Sequence, residues 1–121
     1  MTFNDSKPIY LQICELISNK ILSLTWREGE RIPSVRELGA ELEVNPNTVM
    51  RAYEWLAERG VIYNRRGIGF FVSSEAKGIV TQQQRSILFE STLHEVARQM
   101  RLLGVSVEEV RVVLERLLER P

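Results

Sequence analysis

The sequence predicts a mainly α-helical fold with one small β-hairpin, and three observations carry that reading. Apolar residues recur at helical spacing through most of the 121 residues. Two Ser-x-x-Glu capping patterns and one Asn-Pro step mark places where helices start. Between Val61 and Val72 the pattern changes to short β-prone runs around a glycine-rich turn.

Taken in order, the first element covers residues 8 to about 25, with Ile9, Ile13, Leu16, Ile17, Ile21 and Leu24 as one apolar stripe. Pro8 suits its first turn, where the missing N–H has no helical partner to lose. Arg27 to Pro33, with Gly29 inside it, reads as a loop. Ser34-Val35-Arg36-Glu37 is a capping box and opens a short helix to about Leu42, burying Val35, Leu38 and Leu42. After a short turn, Asn45 caps a third helix with Pro46 at its first position. That helix runs to about Arg59, and Gly60 closes it in the left-handed conformation. Val61 to Asn64 and Phe70 to Val72 form the hairpin, with Arg65-Arg66-Gly67-Ile68-Gly69 as a basic tip. Residues 73 to 80 read as a polar connector. A long helix is expected over about 82 to 103, stopped by Gly104. A last one opens at the second capping box, Ser106-Val107-Glu108-Glu109.

The order helix, helix, short turn, helix, hairpin is that of a winged helix-turn-helix followed by an α-helical hairpin. Residues 1–73 are assigned to the winged domain and 74–121 to a short helical tail. The third helix has two faces. Val49, Ala52, Tyr53 and Leu56 form an inward stripe, and Asn47, Met50, Arg51 and Glu54 an outward one. Amides and guanidinium groups near a helix N-terminus suit base edges in a DNA major groove, although a solvated surface face has the same pattern. The wing weighs against the blander reading. Arg65 and Arg66 stand at a glycine-rich tip, where Gly67 and Gly69 allow close approach to a phosphate backbone. Residues 45 to 73 carry a net charge of +2. Candidate DNA contacts are therefore Arg36, Asn45, Asn47, Thr48, Arg51, Arg65, Arg66 and Gly67.

Four ordered motifs extend this reading: Pro8-Ile9-Tyr10-Leu11-Gln12-Ile13, Gly29-Glu30-Arg31-Ile32-Pro33-Ser34-Val35-Arg36-Glu37-Leu38, Asn45-Pro46-Asn47-Thr48-Val49-Met50-Arg51-Ala52-Tyr53 and Arg65-Arg66-Gly67-Ile68-Gly69. With them, the segment from Pro8 to Val72 resembles the winged-helix domain of GntR-type regulators, and the short helical tail resembles the YtrA-like branch. The resemblance implies a dimeric DNA-binding regulator, usually a repressor and often of a transporter operon. It places contacts on Arg36, Asn47, Thr48, Arg51, Arg66 and Gly67. Met50 departs from the polar side chain that many relatives carry there. A thioether can touch a thymine methyl but makes no strong hydrogen bond to a base.

Composition sets the outer limits. Sixteen Lys and Arg balance sixteen Asp and Glu, so a nucleic-acid site has to be a local patch on a neutral body. Hydrophobic residues make up 44%, enough for a core without metal or disulfides. Cys14 is the only cysteine, which excludes an internal disulfide and fits a reducing cytoplasm. It is expected to be a small buried or interface residue. No basic stretch leads into an apolar run at the N-terminus, and no apolar run reaches the ~20 residues a membrane span needs, so neither a secretory leader nor a membrane segment is expected. His94 stands alone, Trp26 and Trp55 suit packing, and Gly67-x-Gly69 lacks the context of a nucleotide loop. No catalytic set, metal site or cofactor is expected.

In the tail, Phe89, Leu93, Val96, Met100, Val110, Leu114 and Leu117 are the candidate dimerisation residues. Two such helices enclose little core by themselves, so their stripes have to pack on the winged domain or on a second copy; the second copy is the expectation. A two-fold dimer reads a palindromic operator with half-sites roughly 34–36 Å apart, or a multiple of that. Two other functions remain open at this point. One is a winged module that docks on protein, and the other is a sensor with a small-molecule site in the tail, for which no polar pattern identifies an effector.

Overall fold

The computed structural model describes residues 3–119. Its elements are α1 (Ile9–Leu22), α2 (Val35–Leu42), α3 (Pro46–Glu58), β1 (Ile62–Arg65), β2 (Gly69–Val72), α4 (Ala76–Ile87), a π-helical turn (Leu88–Thr92), α5 (Leu93–Leu103) and α6 (Val107–Leu118). The fold is thus mostly helical with one small antiparallel sheet. The chain divides into two compact units after Gln83.

In the first unit α1 buries Ile13, Ile17 and Ile21, together with Gln12, Cys14 and Ser18. The expected stripe is shorter than its sequence suggests. Ile9, at the first helical position, is 42% exposed, and Leu24 is 46% exposed. The helix ends at Leu22, and Leu24 adopts a left-handed φ of 63° outside it. Gln12 is buried without penalty because its amide is fully used. Its Nε2 donates to the carbonyls of Asn4 and Lys7, and its Oε1 accepts from the Asn4 N–H. The segment before α1 is thereby tied to the helix.

Both expected starts of α2 and α3 are present. The Ser34 hydroxyl accepts from the Glu37 N–H while the Glu37 carboxylate accepts from the Ser34 N–H. At α3, Asn45 Oδ1 accepts from the Asn47 N–H and Pro46 occupies the first turn. The turn between the helices is tight. Glu43 takes a left-handed φ of 57°, and a Cβ on Gly39 would stand 2.9 Å from the Val44 carbonyl oxygen, so only glycine lets the turn close there. Val49, Ala52, Tyr53 and Leu56 of α3 are fully buried against Ile13, Ile17 and Leu38 in one cluster.

β1 and β2 pair in the register Ile62↔Val72, Tyr63↔Phe71, Asn64↔Phe70 and Arg65↔Gly69. The expected loop before α2 contributes more than a connection. Arg31 bridges Phe71, the Ile32 N–H donates to the Phe70 carbonyl at 2.9 Å, and the Val72 N–H donates to the Glu30 carbonyl at 3.0 Å. This extra edge fixes the base of the hairpin. The polar connector expected over residues 73 to 80 is instead helical from Ala76. Ala76 and Val80 are buried in the core and Ile79 packs against it, so the first unit extends beyond the expected 73/74 boundary.

In the second unit the π-helical turn leads into α5, whose C-cap Gly104 has a φ of 68°. Ser106 and Glu109 form the second capping box at the start of α6. From Thr81 to Glu119 no residue is buried. Phe89, Leu93, Leu114 and Leu117 are between 42% and 53% exposed, with Val96 at 37%, and Met100 and Val110 are half-buried.

Candidate nucleic-acid interface

The amphipathic pattern of α3 sorts its side chains as its spacing requires. With Val49, Ala52, Tyr53 and Leu56 inside, Asn47, Arg51 and Glu54 are exposed and Thr48 and Met50 are half-buried. Beside the N-terminus of α3 lies an open groove of about 500 Å³, lined by Val35, Arg36, Asn45, Pro46, Asn47 and Met50. The fold therefore brings Arg36 of α2 together with Asn45 and Asn47 across the helix-turn-helix. A second groove of about 410 Å³ runs between α3 and the hairpin, lined by Met50, Glu54, Ala57, Glu58, Asn64 and Phe70. Met50 lines both grooves. Two glutamates in the second make it a poor place for phosphate.

Asn45 has a prior commitment. Its Oδ1 caps α3 by accepting from the Asn47 N–H at 2.8 Å, which leaves its NH₂ group to donate outward. Thr48 uses its own N–H internally, donating to the Asn45 carbonyl at 2.9 Å. At the wing, Arg66, Gly67 and Ile68 are the exposed tip. The Ile68 N–H donates to the Arg65 carbonyl at 2.8 Å, and Gly67 has a φ of 79°. The Arg65 guanidinium lies 5.4 Å from the centre of the Phe71 ring.

Two residues join this surface without being expected there. Arg31 reaches the wing from the paired edge before α2. Its Nε would be 3.0 Å from a Cβ on Gly69, a position with φ of 141° that already favours glycine. Tyr10, in the first turn of α1, carries the Arg51 guanidinium on its ring at 4.0 Å. Both residues lie within the quoted motifs, but no local periodicity points to them, because each reaches the site through tertiary packing.

Tyr53 holds the surface in register from below. Its hydroxyl donates to the Pro33 carbonyl at 2.6 Å, and its ring meets Phe70 edge-on at 5.0 Å. Burial, followed by the charges of Glu37 and Glu41, pushes the phenol well above its ordinary range. It remains a neutral donor. Cys14 packs under α3, its Sγ 3.6 Å from the Ala52 carbonyl, and burial raises the thiol to about 12. Two Ser34 hydrogen bonds, backbone first, hold the Glu37 carboxylate below the usual range.

Among the described residues five arginines of this surface, Arg31, Arg36, Arg51, Arg65 and Arg66, are free of carboxylate partners, as are Arg85, Arg101 and Arg116 of the tail. Elsewhere on the tail, Arg98 is bound to Glu95, and Arg111 to Glu108 and Glu115. The described residues contain no cluster of His, Cys, Asp and Glu able to hold a metal, and no helix long and apolar enough to cross a membrane.

The sequence pattern described as "Bacterial regulatory proteins, gntR family" matches residues 9–72. The chain belongs to the gntR family. This makes it a DNA-binding transcriptional regulator. It is 34% identical over 94% of its length to the HTH-type transcriptional repressor YtrA of Bacillus subtilis, of which it covers 82%. A GntR family transcriptional regulator from Listeria monocytogenes has the same fold, with a TM-score of 0.76 and 38% identity over 94% of this chain and 98% of that one. The AraR DNA-binding domain, solved in complex with operator, matches 60% of this chain and 88% of its own, with a TM-score of 0.55 and 29% identity. The tail matches the YtrA-like branch in extent, since the similarity to YtrA runs well past residue 72.

Proposed function

We propose that this gntR-family chain is a homodimeric repressor of an operon that reads a palindromic duplex operator in the cytoplasm, acting by binding and not by catalysis. Asn47, Thr48 and Arg51 of α3 enter the major groove. Arg36 and the Asn45 amide contact the groove edge or backbone beside them, and Arg65, Arg66 and Gly67 hold the adjacent backbone. The observation that carries this reading is the groove at the start of α3, where Arg36 stands with Asn45 and Asn47 and where neither Arg36 nor Arg51 is tied up by a carboxylate among the described residues. A guanidinium that folding leaves without a carboxylate is available to phosphate or to a guanine edge. The AraR domain, solved on operator, supports a duplex as the partner.

The tail supplies the second half of the proposal. Phe89, Leu93, Val96, Leu114 and Leu117 keep between 37% and 53% of their surface in water. Full burial of an exposed Leu or Val contributes roughly 1.5–3 kcal/mol, so completing the burial of these half-covered side chains contributes about half of that each. A symmetric pairing through these residues, with Met100 and Val110, covers the stripe twice over in one interface.

Footprinting on the DNA around the chain's own operon tests the reading. The expected result is a symmetric protected site whose half-sites lie about one helical turn, or a multiple of it, apart. In shift assays on that site Arg51→Ala weakens binding about ten-fold or more, and Arg66→Ala weakens it while flattening the salt dependence by roughly 0.9 in the log–log slope. Unchanged affinity in both variants overturns the assignment of this surface and favours a winged module that docks on protein.

A further inference from the structure

Arg51 is not free in solution as its outward position suggests. Its guanidinium lies over the Tyr10 ring, 4.0 Å from the centroid, while the residue as a whole stays exposed. The other close cation–ring pairs involve near neighbours along the chain: Lys20 with Trp26, Arg59 with Trp55, Arg65 with Phe71 and Arg85 with Phe89. Arg51 with Tyr10 alone among them joins two separate helices. Tyr10 is a firm support, since it is half-buried and packs on the core. The turn it stands on is held by the Gln12 amide, bonded to Asn4 and Lys7.

We infer that Tyr10 is a positioning residue for base reading, its ring fixing the Arg51 guanidinium in one orientation before DNA arrives. Stacking uses the π-face of the guanidinium and leaves its in-plane N–H donors outward, the edge that a guanine O6 and N7 accept from. A free arginine gives up much rotamer freedom when it docks, whereas one already laid on a ring has given it up in the unbound protein. Specificity rises by that difference, and binding to arbitrary duplex, which needs only charge near phosphate, does not. The inference rests on the assignment of Arg51 to the groove, and the two fail in different ways.

The test uses the full chain, a duplex enriched by the wild type from a randomised library, its single-base-pair variants, and an unrelated duplex. Arg51→Ala loses discrimination at one base pair. Tyr10→Leu lowers discrimination at that same pair by about two- to five-fold and leaves binding to the unrelated duplex as it was. Tyr10→Phe behaves as the wild type, and Tyr10→Leu adds nothing in the Arg51→Ala background. Without DNA, the Arg51 side-chain proton resonances lie upfield in the wild type and in Tyr10→Phe, through the ring current, and return to ordinary positions in Tyr10→Leu. A Tyr10→Leu variant that melts early and weakens on every duplex alike refutes positioning in favour of a packing role. If Tyr10→Phe fails as Tyr10→Leu does, the hydroxyl and not the ring is responsible. Wild-type Arg51 resonances at ordinary positions refute the stack whatever the DNA assays show. Undiminished discrimination in Arg51→Ala removes the groove assignment itself, and the inference with it.

Discussion

Removing one oxygen atom from Tyr53 tests how the reading surface is held together. Tyr53 is fully buried, and its hydroxyl donates to the Pro33 carbonyl at 2.6 Å. Pro33 precedes the Ser34 cap of α2, so this bond ties α3 to the start of α2. In Tyr53→Phe the ring keeps its edge-on contact with Phe70, and the loss is confined to the hydrogen bond. A net hydrogen bond contributes about 0.5–1.5 kcal/mol, and a stranded buried acceptor adds to that. Pro33 is half-buried, so water reaches part of the carbonyl, and the expected loss is about 1–2 kcal/mol. Tyr53→Ala also empties the ring volume and loses about 3–5 kcal/mol. Urea unfolding reads both as a lower midpoint at constant slope. Because the bond fixes α2 against α3, Tyr53→Phe also weakens operator binding beyond any loss from unfolded protein. An unchanged urea midpoint in Tyr53→Phe refutes the role given to the hydroxyl. A lower midpoint with unaltered operator affinity confines that role to stability.

Three further outcomes follow from the same geometry. Leu117→Asp, and separately Leu93→Asp, should turn a sedimenting dimer into a folded monomer, since neither residue is buried within its own chain; a wild type that sediments as a monomer at tens of micromolar contradicts the tail assignment. Because Ser34 lowers the folded pKa of Glu37, the cap contributes its stability above the unfolded carboxylate pKa and loses it as pH falls through the lower folded value. Acid titration of α2 amide exchange checks this, with Glu37→Gln abolishing the pH dependence and persistence of the dependence in that variant refuting it. Cys14, raised to about 12 by burial, should react with thiol reagents at neutral pH only as fast as the domain opens; rapid stoichiometric labelling of the folded protein counts against its place in the core.

Much of the first unit was legible from residue order. Ser34, Glu37, Asn45 and Pro46 carry helix starts in their own chemistry, and the two faces of α3 follow from spacing alone. What local pattern could not supply was everything that depended on a distant partner. Gln12 is polar yet buried because Asn4 and Lys7 occupy all its donors and acceptors. Residues 29 to 32 read as a loop, and become a sheet edge only through Phe70 and Val72. Ala76, Ile79 and Val80 had helical spacing, but the stretch is short, contains Gly78 and is flanked by polar residues, so its apolar positions gained weight only from the core they meet. Ile9 and Leu24 erred the other way, continuing a periodicity beyond the last turn that buries it. In the candidate site the outward stripe was legible, whereas Tyr10 under Arg51 and Arg31 beside Gly69 were not, since both are contacts between elements far apart in sequence.

One face of the first unit, α3 with its flanking arginines, is proposed to enter a duplex. Titrating the isotope-labelled chain with an enriched duplex and following each side-chain and amide resonance tests that placement most directly. The largest changes are expected at Arg36, Asn47, Thr48, Arg51 and Arg65 to Gly67, with little at Leu93 to Leu117. Changes confined to α5 and α6, with Asn47 and Arg51 unmoved at saturation, contradict that placement.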